Sequence, residues 1–335
     1  MKPSKENPIY TAILVDGSTQ YDITPVLTSV DFSDQENQLA KSATLTLANI
    51  QVGGKWLNTI VRARQRLFIY ADDGETKDEV FRGVIWTQYY KSALSDREIT
   101  VQAYDNLIYF QESEDSLFFS EGKSTSEVLK SICQSWGVKL SYGYESITNP
   151  KLVLRGALSD IIINDVLEPV RERTGKKYVI LSVKDTLTIK QIGQNSTVYQ
   201  IKQKENSLNT RSEETMDGMI TKVVILGKAE SGDRPPVEAV VSGNTSQYGT
   251  MQKLYDRDEN TSLANARTEA NNMIKDSGKP AWEYQVQAAD IPWLRKGDKV
   301  FVNAGSLYQK YFIAASIERS ITNKAKTMNL TLKDV

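Results

Sequence analysis

Apolar and polar residues alternate along much of the chain, and the period is two before it is anything else. Ala43–Leu47 puts Ala43, Leu45 and Leu47 on one face and Thr44 and Thr46 on the other. Ile9–Asp16, a turn at Asp16-Gly17-Ser18, and Tyr21–Ile23 read as a hairpin. Val61–Tyr70, Val80–Tyr90 and Arg97–Ala103 continue the pattern, separated by the turn-rich stretches Asp72-Asp73-Gly74 and Leu94-Ser95-Asp96. Strands joined by short turns without intervening helices predict an antiparallel barrel or sandwich.

The period then changes. Ser124-Thr125-Ser126-Glu127 has the form of a capping box, and Val128, Leu129, Ile132, Cys133 and Trp136 follow at helical spacing up to Gly137. Cys133 falls on the apolar stripe and is expected in the core. A second helix is predicted from about Ser159 to Thr174, ending at Gly175, with a kink or break at Pro169. Tyr178–Ser182 and Thr186–Gln191 read as a hairpin turning at Lys184-Asp185.

Strand patterning returns at Met219–Gly227 and Val237–Val241, with the loop Ser231–Pro236 between them. A third helix, Asn260–Ser277, turns Leu263, Ala266, Ala270, Met273 and Ile274 inward and stops at Gly278 and Pro280. Trp282–Ala288, Lys299–Asn303, Tyr311–Arg319 and Thr327–Leu332 follow as strands, the last with Met328, Leu330 and Leu332 on one face. The chain therefore reads as mainly β, of α+β class. It has a first β-barrel over residues 1–108, an α+β region over 109–205, and a second β-barrel over 206–335 carrying one helix near 260–277.

Composition narrows the chemistry. The 335 residues contain no histidine and one cysteine. Histidine-based triads and histidine-ligated zinc or iron are excluded. No internal disulfide can form, which fits a reducing cytoplasm and equally a disulfide-free exported protein. Lys+Arg number 41 and Asp+Glu 42, and residues 1–110, 111–210 and 211–335 carry 11 and 14, 13 and 12, and 17 and 16 basic and acidic residues. Such an even balance argues against duplex binding through a basic arm. The start Met1–Pro8 is polar, and no apolar run is long enough to span a bilayer.

Candidate motifs are sparse. Gly53-Gly54-Lys55 lacks the spacing of a phosphate loop. Asp72-Asp73-Gly74-Glu75 reads better as a solvated turn than as a calcium loop. Asp256-Arg257-Asp258-Glu259-Asn260 reads as the acidic approach to a helix rather than a metal site. Arg62, Arg64 and Arg66 share one face of their predicted strand. That face is either a solvated, charge-protected edge or an inter-subunit or lumen-facing stripe. Trp293, in the loop Ala289–Asp298, is an interface aromatic or a local staple.

The order of pieces resembles the XkdQ-type hub proteins of contractile phage tails, related to the late control protein D group. The resemblance spans most of the chain. It rests on Phe81-Arg82-Gly83-Val84-Ile85, on Ile99–Phe110 leading into the middle region, and on the capped helix from Ser124 with its Trp136-Gly137 end. Thr174-Gly175-Lys176-Lys177-Tyr178 before the hairpin, Gly243–Leu254 with its Tyr248-Gly249 turn, and the Gly297-Asp298-Lys299-Val300 strand start complete it.

The resemblance implies two tail-tube-like barrels with an inserted α+β region. Three copies then give six barrels, a ring that adapts a sixfold tube to a threefold spike. It implies no catalytic site and no cofactor or metal. The implied partners are two further copies, a central spike protein, a tail tube or tube-initiator protein, baseplate wedge proteins, and a tape-measure protein in a neutral or mildly acidic lumen. Neither a membrane segment nor specific nucleic-acid binding is implied. The place of action is the baseplate of a phage, defective prophage or phage-tail-like bacteriocin, assembled in the bacterial cytoplasm. Subunit contacts are expected along Val61–Tyr70 and Lys299–Asn303, so that charge at Leu67 or Val300 would abolish the ring and spare the fold. Two readings compete: a carbohydrate-binding β module using Trp293 and nearby tyrosines, and a carboxylate-dependent cell-wall glycan hydrolase.

Overall fold

The computed structural model describes residues 7–36, 38–52, 54–92, 97–229, 234–258 and 261–335. The expected turn at Leu94–Asp96, the first half of the loop at Ser231–Pro236, the expected helix start at Asn260 with Glu259 before it, Asn37, Gly53 and residues 1–6 lie outside the described residues.

The first β unit holds β1 (Ile9–Asp16), β2 (Thr19–Asp22), β3 (Leu27–Asp34), β4 (Ser42–Ala48), β5 (Gln51–Val52), β6 (Lys55–Trp56), β7 (Arg66–Asp72), β8 (Lys77–Ser92) and β9 (Arg97–Tyr104). Alternation does what it predicts in β4, whose Ala43, Leu45 and Leu47 are fully buried between half-exposed polar neighbours. The expected strand Val61–Tyr70 is shorter. A helical turn, α1 (Leu57–Ile60), precedes it, Arg64 takes φ 76, and pairing begins only at Arg66. Arg62, Arg64 and Arg66 therefore form no stripe, because the first two lie in a turn.

The middle unit comprises α2 (Ile108–Gln111), β10 (Glu114–Phe119), α3 (Thr125–Ser135), β11 (Lys139–Gly143), β12 (Leu152–Ala157), α4 (Leu158–Asp160), a π-helical stretch Ile161–Leu167, α5 (Glu168–Thr174), β13 (Tyr178–Val183) and β14 (Thr186–Gln191). The capping box forms on both sides: Glu127 N–H donates to Ser124 Oγ at 3.3 Å, and Ser124 N–H to Glu127 Oε2 at 2.8 Å. Pro169 does not break its helix. The preceding turn is wound as a π-helix, with Glu168 N–H donating to Ile163 O, five residues back. The widened turn accommodates a proline that a regular α-helical interior would reject. The β13–β14 hairpin turns with Lys184 and Asp185 both at positive φ, the geometry of a tight hairpin turn.

The second β unit starts earlier than expected. β15 (Tyr199–Lys202) pairs with β21 (Lys299–Ala304), so the expected boundary at 205/206 cuts between β15 and β16 (Ser207–Thr215) of one unit. After β16 a separate α/β element intervenes: β17 (Lys222–Leu226), β18 (Val237–Ser242), α6 (Thr245–Tyr248), β19 (Gln252–Asp256) and α7 (Leu263–Ser277), around its own core of Val223, Ile225, Ala266, Ala270 and Met273. The unit resumes with β20 (Ala281–Ala289), then β21, β22 (Leu307–Thr322) and β23 (Lys326–Asp334).

One 13-stranded sheet joins the two β units: eleven strands run in the order β16-β20-β23-β22-β3-β4-β9-β8-β7-β1-β2, and β21, then β15, branch from β22. β22 is the bridge. Its first part pairs with β21, and Ile317–Thr322 pairs antiparallel with β3. Each unit wraps its own apolar core, one built on Leu14, Leu45, Leu67 and Ile99, the other on Val300, Phe312, Ile317 and Leu330.

Candidate functional site

The widest feature of the molecule is one face of the strand run β16-β20-β23-β22-β3-β4-β9-β8. Registered pairs carry a single row across all eight strands: Asn209, Gln287, Asn329, Glu318, Ser33, Ser42, Tyr104 and Val84. The middle unit covers the Tyr104 and Val84 end. Two residues along, Thr327, Ser320, Asp31, Thr44, Gln102 and Thr87 form the next row. No lysine or arginine stands in either row. Period two makes the face polar: the strands other than β16 give their apolar side to a core, so their polar side faces outward. Toward the β16 side the face is concave, lined by Asn209, Arg211, Gln285, Gln287, Glu318 and Thr331; Arg211 is the cation there, and it pairs with Glu213 at 2.7 Å.

Buried ionic joints hold the two halves of this wall in register. Arg319 of β22 donates from Nε to Asp290 Oδ1 at 2.9 Å and from Nη2 to Ile291 O at 3.1 Å. The Tyr10 hydroxyl of the first unit donates to the other Asp290 oxygen. Burial holds the Asp290 carboxyl above its usual range despite the guanidinium. Lys296 is also buried, with Nζ 2.9 Å from Gln35 O, 3.0 Å from Gln38 O and 3.0 Å from Asp34 Oδ1. Lys41 donates to Val80 O at 2.9 Å. Burial, with Arg319 adding repulsion, pushes its ammonium down to about 7. Burial likewise raises Asp105 to about 7, against the backbone N–H groups of Leu107 and Lys41 that favour the carboxylate.

The middle unit is clamped to the first through its hairpin turn. Asp185 accepts from Arg66 at 2.8 Å, from Arg82 at 3.1 Å and from Asn106 at 2.5 Å, while Lys184 pairs with Asp78 at 2.7 Å. Gly297 sits where the middle unit meets the second. Its φ is +82, and a Cβ there would lie 2.7 Å from Val179 side-chain carbons. Arg171 pairs with Asp276 at 2.9 Å and Arg173 with Glu269 at 3.1 Å, docking α5 on α7.

None of the residues expected at the subunit interface lies on an open strand edge. Leu67 and Val300 are 0% exposed in the two cores. Their strands are interior: β7 lies between β1 and β8, and β21 between β15 and β22. Arg62 is exposed and caps its own turn through Asn58 O and Val61 O. Arg64 is exposed, and its N–H donates to Ile85 O at 2.8 Å. Arg66 is used by Asp185. Trp293 is a staple: it packs against both β cores, and its Nε1 donates to Asp73 Oδ2 at 2.7 Å.

The open edges lie elsewhere. Among the described residues no strand pairs with the outer side of β16 along Asn209–Thr215, nor with β8 beyond Val84, where β7 has ended. β16 carries no apolar period in sequence. The polar side of β4 and of β23 is legible there, but not the union of those sides into one wall.

Among the described residues no cluster of histidine, cysteine or acidic side chains is arranged to hold a metal, and no helix is long and apolar enough to cross a membrane. No curated protein matches the chain. Solved structures do. A tail protein from Neisseria meningitidis MC58 superposes with a TM-score of 0.72 at 13% identity, over 97% of this chain and 96% of that one. A 43 kDa tail protein of prophage MuSo2 from Shewanella oneidensis gives 0.70 at 14% identity, over 97% and 98%. An Escherichia coli component of the type VI secretion system, described as structurally similar to the T4 tail proteins gp27 and gp5, gives 0.59 at 10% identity, over 96% and 76%. The fold is thus that of phage tail proteins. Residues 30–333 match the family model described as YQBQ-like, so nearly the whole chain is accounted for and it belongs to the YQBQ-like family.

Proposed function

We propose that the chain is a structural baseplate hub of a phage tail or related contractile injection particle. Three copies form a ring that adapts a sixfold tail tube to a threefold central spike. The observation that carries this reading is the eight-strand polar wall, to which each β unit contributes four strands: β16, β20, β23 and β22 from one, and β3, β4, β9 and β8 from the other. Two equivalent four-strand halves of this kind per chain make a threefold ring sixfold on its inner surface. Three walls edge to edge, at about 4.8 Å per strand, run roughly 115 Å around. That is about 37 Å between opposite backbones, and more once the strands tilt. The bore would be lined mainly by Ser, Thr, Asn and Gln, with carboxylates such as Asp31 and Glu318, the cation Arg211 beside Glu213, and Tyr89 at the β8 edge. Such a lining is mostly uncharged, its cation Arg211 is paired with Glu213, and it offers little grip to phosphate or to a sliding protein.

The tail, prophage and type VI relatives support the same reading through their shared fold. The role is mechanical, with no turnover, and the partners are the spike, tube, wedge and tape-measure proteins of the particle. Its place is the baseplate, after assembly in the bacterial cytoplasm. Absolute mass by light scattering, alone and with the protein encoded beside it, tests the ring. A species of three times the monomer mass is expected. A strict monomer under both conditions would overturn the reading.

A further inference from the structure

The two β units are built alike, and the likeness identifies how the wall continues between copies. β8 and β22 are both 16 residues long. Each pairs over its later part with the following strand, Val84–Ser92 with β9 and Phe312–Ile321 with β23. Each pairs in its first part with the preceding strand, β7 or β21. Each also carries an irregularity at the matching place, between Ile85 and Thr87 in β8 and between Ala314 and Ser316 in β22. β3 and β16 correspond in the same way, as the strands at the far side of their four-strand halves. Within the chain the last part of β22 is covered by β3, with Glu318 opposite Ser33 and Arg319 opposite Phe32. The equivalent part of β8 has no such cover among the described residues.

We infer that the free edge of β8, Trp86–Ser92, pairs antiparallel with the free edge of β16, Asn209–Thr215, of the next copy, repeating between subunits the β22–β3 joint made within one. This deepens the ring reading and rests on it. Strand direction agrees. Neighbours alternate across all eight strands, so β16 and β8 run oppositely. Rotation about an axis along the strands keeps each direction, so the contact between copies is antiparallel like every other.

The register also transfers. Aligning the two irregularities places Tyr89 where Glu318 stands and Tyr90 where Arg319 stands. Matching rows through β4 and β20 places Glu213 where Ser33 stands and Ser212 where Phe32 stands. Tyr89 therefore faces Glu213 of the next copy, and Tyr90 faces Ser212. Tyr89 is 62% exposed in the single chain, a large aromatic with no cover of its own. The contact is heterologous, one patch meeting a different one, and closes after three copies.

Cysteine pairing tests this directly. Directly opposed residues of an antiparallel pair lie about 4.5–5.5 Å apart at Cα, within reach of a disulfide. Only Cys133 could interfere, and it is buried with its thiol pushed up to about 12. The double variants Tyr89→Cys with Glu213→Cys, and Tyr90→Cys with Ser212→Cys, are oxidised at a concentration where the uncross-linked chain has trimer mass. The expected result is a covalent trimer on denaturing gels from at least one of them. The offset control, Tyr89→Cys with Asn209→Cys, should give none, since four residues of strand separate its partners. A trimer by mass that yields no covalent trimer with either double variant, or equal cross-linking in the control, overturns the joint and leaves the ring intact. Strict monomer mass overturns the ring, and the joint with it.

Discussion

Replacing Arg319 with methionine probes the joint that sets the angle between the two halves of the wall. Arg319 and Asp290 have side chains 4% and 0% exposed, and their only described charge-to-charge contact is with each other. Arg319→Met fills most of the volume but leaves a carboxylate with no ion-pair partner, held by the Tyr10 hydroxyl and the more distant Lys41 ammonium. It also strips donors from Ile291 O and Leu294 O. Breaking a buried pair by removing one partner costs about 3–5 kcal/mol, a large part of the ~5–15 kcal/mol that holds a folded domain.

The loss has a defined pH dependence. The Asp290 carboxyl already titrates above its unfolded value, so its penalty is fully present above the folded pKa and fades as pH falls toward the unfolded one. Without Arg319 the folded value rises further. The difference between wild type and variant is therefore greatest at neutral pH and shrinks on acidification toward pH 4–5. Urea unfolding at pH 7.5 and pH 5 measures it. Adding Asp290→Asn to Arg319→Met should recover more than half of the loss at pH 7.5, because the uncompensated charge is gone. A loss below about 1 kcal/mol, equal at the two pH values and unrelieved in the double variant, would refute the reasoning.

Two other substitutions separate core from interface. Leu67→Lys and Val300→Lys put a charge inside a fully buried site, where the cost reaches about 5 kcal/mol. Circular dichroism and thermal melts should show lost structure or a sharply lowered Tm; a ring that fails while the fold stays intact would restore these residues to the interface. Lys41→Met should flatten one part of the pH profile of stability. With Lys41 titrating at about 7 rather than its ordinary 10.5, the penalty of charging it is fully present below pH 7 and fades as pH rises toward 10.5. Wild type should therefore gain on the variant by about 2–4 kcal/mol between pH 7 and 10 in urea titrations, and parallel profiles would contradict this.

Much of the local structure was legible in the chain. The capping box at Ser124, the hairpin at Lys184-Asp185 and the alternation in β4 and β23 formed where the spacing placed them, because their causes are local: a side-chain oxygen near a free N–H, a turn geometry, a period of two. Pro169 was legible as a conflict but not in its outcome, since whether a helix breaks or widens depends on what the next turns bury. β16 gave no signal, because a strand exposed on both faces needs no apolar period. The α/β element between β16 and β20 was merged with its neighbours, because a small separate core looks in sequence like more strand and helix.

The sequence by itself determined the class of the fold, the absence of histidine and thiolate-cluster chemistry, and which side of each strand would be polar. Tertiary structure alone decided which strands are edges, which polar sides fuse into one wall, and where each arginine is used. The reason is physical. A period of two fixes the faces of a strand but says nothing about its neighbours, and edge or interior is a property of pairing. An apolar strand such as Lys299–Ala304 therefore reads as an edge until β15 is found beside it. Charge behaves likewise: Arg66 is a surface cation in sequence and a clamp on Asp185 once a turn 119 residues away is brought within 2.8 Å.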